Sequence, residues 1–108
     1  MSNHAQARAW IEVNASALRA NFEAVRARVG ARTAIIPMVK ADGYGLGAQW
    51  VVRQLEPLDP WAFGVATSSE GADLRRWGVR APVIVFSPLT ADGLSQAAEH
   101  DLIVAISD

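Results

Sequence analysis

The sequence predicts an α/β fold of the (β/α)8 TIM-type barrel family, covering about the first four βα units plus a preceding strand and helix. Three observations predict it. Four short apolar runs recur along the chain, at residues 34–39, 61–66, 83–86 and 102–106. They are continuous rather than alternating, as strands are when helices cover both faces of a parallel sheet. Helical patterns fill the intervals between them, which makes a repeating βα series. Such a series closes into a barrel or spreads into a doubly wound sheet. The loop after residue 39 chooses between them. Its glycines, Gly43, Gly45 and Gly47, alternate, and this matches neither the dinucleotide fingerprint nor the Walker spacing. A complete barrel needs about 250 residues, so 108 residues hold about half of one.

Each element has its own signal. Residues 1–8 are polar, lack the apolar stretch of a signal peptide, and are read as a flexible N-terminus. Residues 9–108 are read as the N-terminal half of the barrel domain. Residues 9–13 suggest a strand. Asn14 then caps an amphipathic helix with Leu18, Phe22, Val25 and Val29 on one face, and Gly30 closes it. Pro37 sits inside the 34–39 run and removes a ladder donor, which predicts a bulge or local irregularity there. A helix over 48–56 places Val51 and Leu55 four apart and stops before Pro57. Thr67 and Glu70 form a capping box ahead of Leu74 and Trp77, with Gly78 as the stop. Thr90 caps a last helix carrying Leu94, Ala97 and Ala98.

Composition narrows the function classes. The formal net charge is -1, which leaves no electrostatic footprint for nucleic acid or an anionic membrane. No apolar run approaches the length of a membrane span. The chain has no cysteine, so disulfides, thiol nucleophiles and cysteine-ligated zinc are excluded together. No metal site is read from the sequence, and a cytoplasmic protein is the default. Glu12, Asp42 and Asp73 show no pairing that would suit catalytic acids and read as solvated or capping groups. His4 and His100 read as surface residues, and Arg75, Arg76 and Arg80 as the outer face of a helix.

Lysine usage points to one residue. Lys40 is the only lysine, and it ends the first of the four apolar runs. An amine can lose its proton when partly buried, whereas a guanidinium effectively cannot. In a barrel, chemistry gathers at the C-terminal ends of the strands. A surface lysine that closes a strand is the plainer reading of position alone. The following loop weighs the other way. Its glycines would let backbone N–H groups approach an anion at the start of the next helix, and Tyr44 offers a hydroxyl to the same anion. Amine, glycine-rich turn and phenol together suit an aldehyde cofactor with a phosphate tail.

These residues, Val39-Lys40-Ala41-Asp42-Gly43-Tyr44-Gly45-Leu46-Gly47, resemble the pyridoxal-phosphate attachment motif of alanine racemases. The similarity extends beyond the motif. Trp10-Ile11-Glu12-Val13-Asn14, with Ser16-Ala17-Leu18 and Asn21, is similar to that family's opening strand and helix. Phe63-Gly64-Val65-Ala66 with Glu70 and Leu74-Arg75, then Gly78-Val79-Arg80-Ala81-Pro82-Val83-Ile84-Val85, resembles its second and third units.

The resemblance implies a pyridoxal 5'-phosphate enzyme that interconverts L-alanine and D-alanine and supplies D-alanine for peptidoglycan. It implies that Lys40 forms the internal aldimine and acts as one of two acid/base groups. Tyr44 would hydrogen-bond the cofactor phosphate, and Phe86 and Met38 would line the pocket near the cofactor ring. For Phe86 and Met38, ordinary barrel core is an equal reading. Leu46 stands where the family often has histidine. The family's second base is a tyrosine of the partner subunit, and Tyr44 is the only tyrosine of this sequence. A homodimer is implied for the full-length enzyme, with the 108 residues alone inactive. Two alternatives stay open: a non-racemising pyridoxal-phosphate barrel, and a catalytically incomplete βα module.

Overall fold

The structure is a computed structural model that describes residues 14–106. The predicted strand at 9–13 and the N-terminal residues before it lie outside the described residues. The Asn14 side chain accepts from Ala17 N at 3.0 Å and starts helix α1, Ala15–Val29. Gly30, at φ 85°, closes it by donating its N–H to the Arg26 carbonyl. Only part of the predicted apolar face is covered. Phe22 is buried, but Val25 and Val29 remain 49% and 40% exposed. Helix α1 packs on helix α3 (Ala48–Leu55), so only its central turn reaches the core. Arg26 covers the Phe22 ring, with its guanidinium carbon 4.6 Å from the ring centroid, and also donates to the Leu58 carbonyl.

The strands are parallel and shorter than the apolar runs. They are β1 (Phe63–Val65), β2 (Val83–Val85) and β3 (Ile103–Val104), in the order β1-β2-β3. The run at 34–39 adds one parallel bridge, Met38 with Gly64. Pro37 explains this shortfall. Gly64 N donates to the Pro37 carbonyl and Val39 N to the Gly64 carbonyl, both at 2.8 Å. One step back, Pro37 has no N–H to continue the ladder. The Ile35 carbonyl instead takes Trp61 N at 3.0 Å, one residue out of register. The predicted irregularity is therefore present, and it limits the pairing of this run to its C-terminal end.

Helix α3 ends at Leu55, one residue earlier than predicted, and a 3-10 turn, Glu56–Leu58, carries the chain through Pro57. Helices α4 (Ser68–Arg76) and α5 (Ala91–Glu99) begin at the predicted caps, with Thr67 accepting from Glu70 N and Thr90 from Gly93 N, both at 3.1 Å. The core lies between the helices and one face of the sheet. Val39, Phe63, Val65, Val83 and Val85 meet Val51, Val52, Leu55 and Leu74 there. The opposite face of the same row carries Met38, Gly64, Ile84 and Ile103, which are aligned by the register.

Two polar clamps fix the lower loops. Glu56 accepts from Arg80 N and Ala81 N at 2.8 and 2.9 Å. Arg75 donates to the carbonyls of Val79, Ala81, His100 and Asp101 at 2.9–3.0 Å. This corrects the reading of Arg75 as outer helix face, because its planar fork spans two loops that no helical period reveals. The architecture is α/β with a sequentially ordered parallel sheet, and the sheet does not close among the described residues.

Candidate functional site

Lys40 lies where the 34–39 run ends. Val39 before it is almost wholly buried, while Lys40 itself is exposed. The chain then makes a helical turn, α2 (Lys40–Tyr44), of the opposite hand to an ordinary helix. Ala41, Asp42, Gly43 and Tyr44 all have φ between 52° and 68°. For residues with a Cβ this conformation costs roughly 1–2 kcal/mol each. It persists only where the surroundings over-determine it.

The surroundings do so at several points. Gly43 N donates to the Val39 carbonyl at 2.9 Å, Gly45 N to Ala41 at 3.1 Å and Gly47 N to Asp42 at 2.8 Å. The Asp42 carboxylate accepts from Ala48 N at 2.8 Å and so caps α3. A Cβ on Gly43 would stand 3.2 Å from both Ala48 N and the Val51 side chain, so the turn also needs glycine for close packing. This corrects one expectation. The three glycine N–H groups do not face outward to an anion, because all three are bonded inside the loop, and Ala48 N is taken by Asp42. The glycines build the left-handed turn, and Tyr44 is left to offer a polar group outward.

The turn brings amine and phenol together. Lys40 Nζ lies 5.9 Å from the Tyr44 ring centroid, and Tyr44 is 61% exposed. Met38 and Phe86 meet over Gly64. A Cβ at that glycine would fall 2.3 Å from Met38 Sδ and 2.9 Å from Phe86 Cε2. Phe86 is 46% exposed and Met38 partly buried, so both present apolar surface at this sheet face. The four residues singled out in the sequence thus fall at one end of the sheet. Asp73 pairs with Arg76 on α4. A separate cleft of about 510 Å³ is lined by Phe22, Arg26, Ile35, Trp61 and Pro82, and contains neither Lys40 nor Tyr44.

Sequence reasoning missed two contributors. Gly64 was visible only as part of a strand, and its role depends on what packs above it. Glu70 was visible as half of a capping box. Its Oε1 does accept from Ala66 N and Thr67 N at 2.8 and 3.1 Å. Its Oε2 also accepts from Ala41 N at 2.8 Å, across 29 positions of sequence, and no local signal marks that contact.

The donor set fits an aldehyde cofactor with a ring and an anionic tail. One primary amine, one exposed phenol and an apolar surface made possible by Gly64 supply the three kinds of contact such a molecule needs.

Residues 13–108 match the family described as alanine racemase, N-terminal domain. Alanine racemase 1 of Caldanaerobacter subterraneus subsp. tengcongensis is 35% identical over 98 residues, which is 91% of this chain and 25% of that protein. Alanine racemase of Citrifermentans bemidjiense is 43% identical over 75 residues, 69% of this chain and 20% of that protein. Among solved structures, alanine racemase from E. faecalis superposes with a TM-score of 0.81 at 28% identity, over 87% of this chain and 25% of that one. The chain spans about a quarter of the length of the relatives it matches.

Proposed function

Because the chain belongs to the alanine racemase N-terminal domain family, we propose that it supplies the cofactor-anchoring part of a pyridoxal-phosphate-dependent alanine racemase. Lys40 is assigned the anchor. Its primary amine is the group that would hold the cofactor covalently at its aldehyde, with water as the by-product. Tyr44 is assigned a hydrogen bond to the phosphate, and Met38 and Phe86 the apolar wall beside the ring. The single supporting observation is the placement of the only lysine on a strained turn, 5.9 Å from an exposed phenol ring.

Bound pyridoxal phosphate supplies an electron sink that makes the Cα proton of an amino acid removable. Racemisation then takes a proton from one face and returns it on the other. Lys40 Nζ would hold or return the proton at one face. The other face needs a second base, and the only tyrosine, Tyr44, is already assigned to the phosphate. We assign that base to the part of a full-length, dimeric alanine racemase that these 108 residues, a quarter of the relatives' length, do not span. Supply of D-alanine for peptidoglycan is the corresponding role, with residues 1–108 inactive by themselves.

The test is chemical. Incubation with pyridoxal phosphate, borohydride reduction and peptide mapping should place the pyridoxyl label on Lys40, and Lys40→Ala should abolish it. The N-terminal amine of Met1 is the only competing primary amine. A label confined to Met1, or none, overturns the assignment.

A further inference from the structure

Glu70 divides its carboxylate between two tasks. Oε1 accepts from Ala66 N and Thr67 N and completes the cap of its own helix. A capping box asks no more of this residue than a hydrogen bond back to the cap backbone. Oε2 nevertheless reaches Ala41 N, the amide directly after Lys40, at 2.8 Å. Ala41 is the first residue of the turn with left-handed backbone angles, at φ 52° and ψ 47°. The same carboxylate therefore ties this turn to the end of β1, the strand whose Gly64 lies beneath Met38 and Phe86.

We propose that Glu70 is a positioning residue for Lys40. By holding Ala41 N it fixes the hand of the turn at its start, and with it the direction from which the amine leaves the backbone. Loss of this contact loosens the turn at Ala41 and lets the amine shift relative to Tyr44, while the hydrogen bonds further along the turn remain. The inference rests on the reading of Lys40 as cofactor anchor and goes beyond it by naming what sets that anchor.

Two substitutions separate positioning from capping. Glu70→Gln keeps a residue that completes capping boxes. Its amide oxygen can serve Ala66 N and Thr67 N, which turns its NH2 group, a donor, toward the Ala41 donor. The flipped amide would set NH2 against two donors instead. Thr67→Ala does the reverse. It removes the acceptor for Glu70 N and leaves both carboxylate oxygens in place.

The full chain of each variant is compared by amide hydrogen exchange across residues 40–44 and by the rate at which borohydride traps pyridoxal phosphate on Lys40. In Glu70→Gln, exchange in the turn should rise and trapping should slow, each by about tenfold or more, as loss of a charge-assisted hydrogen bond implies. Exchange in α1 should stay unchanged and report an intact fold. Thr67→Ala should leave turn exchange and trapping at wild-type rates. Wild-type behaviour of Glu70→Gln overturns the inference alone, as does equal slowing in both variants, which would reduce Glu70 to a helix cap. Absence of any label on Lys40 in the wild type overturns the anchor reading and this inference with it.

Discussion

Gly64 governs two much larger side chains. Met38 Sδ and Phe86 Cε2 occupy the space that a Cβ at this position would need. Gly64→Ala therefore forces both side chains to move. Met38 is flexible and Phe86 half-exposed, so the cost should stay near the lower end for overpacking, about 1–2 kcal/mol. Urea unfolding measures it. In a Met38→Ala background, where the nearer obstacle is gone, the Gly64→Ala step should cost less than it does in wild type, and a Gly64→Ala variant as stable as wild type would show that the two side chains do not meet over this glycine. Residue-scale legibility followed chemical rarity. Lys40 stood out because no other lysine competes with it. Arg75 and the second oxygen of Glu70 did not. Arg75 joins the nearby Val79 and Ala81 carbonyls to those of His100 and Asp101, 25 and 26 positions away, and Glu70 reaches Ala41 across 29. Nothing in the local sequence marks these contacts.

The elements show which local rules survive packing. Caps were legible, since Asn14, Thr67 and Thr90 each bond the third backbone amide of the helix they start. Strand lengths were not, because an apolar run records burial while a ladder also requires donors, and Pro37 lacks one. The left-handed turn was hidden for a different reason. Its glycines read as an anion cradle, yet Ala41, Asp42 and Tyr44 share their hand. Asp42 is the residue that joins this turn to α3. Asp42→Ala should lower stability by about 1–2 kcal/mol, through loss of the cap at Ala48 N and the poorer tolerance of alanine at φ 54°. Asp42→Asn should retain most of the stability, since its amide oxygen still accepts and asparagine tolerates this backbone. Denaturant midpoints of the pair check this, and equal losses for Ala and Asn would show that charge rather than the hydrogen bond matters.

At the scale of the molecule, the described residues form a layer with helices on one side. The radius of gyration is 15.7 Å, with extents of 50 × 36 × 25 Å, against about 13 Å for a closed domain of this length. The strands lie in sequence order, as expected where parallel neighbours are joined by single helices. The length argument read these residues as half a barrel, and the sheet is open among the described residues. The consequence is exposed apolar surface around β3: Phe86, Leu94, Ile103 and Ile106 are all more than two-fifths exposed, and Ile106 is 91% exposed. The outer edge of β3 has no strand partner among the described residues. Unpaired edges recruit other strands, contiguous apolar patches drive association, and a net charge of -1 opposes neither. The 108-residue chain should therefore associate as its concentration rises, seen as a growing apparent mass in light scattering. Added salt should change this little, because the driving force is apolar. Ile103→Lys places a charge on the exposed edge and should shift association to higher concentration. A monomer whose mass is independent of concentration, unfolding cooperatively, would show that this face is not sticky and that the layer is self-sufficient as it stands.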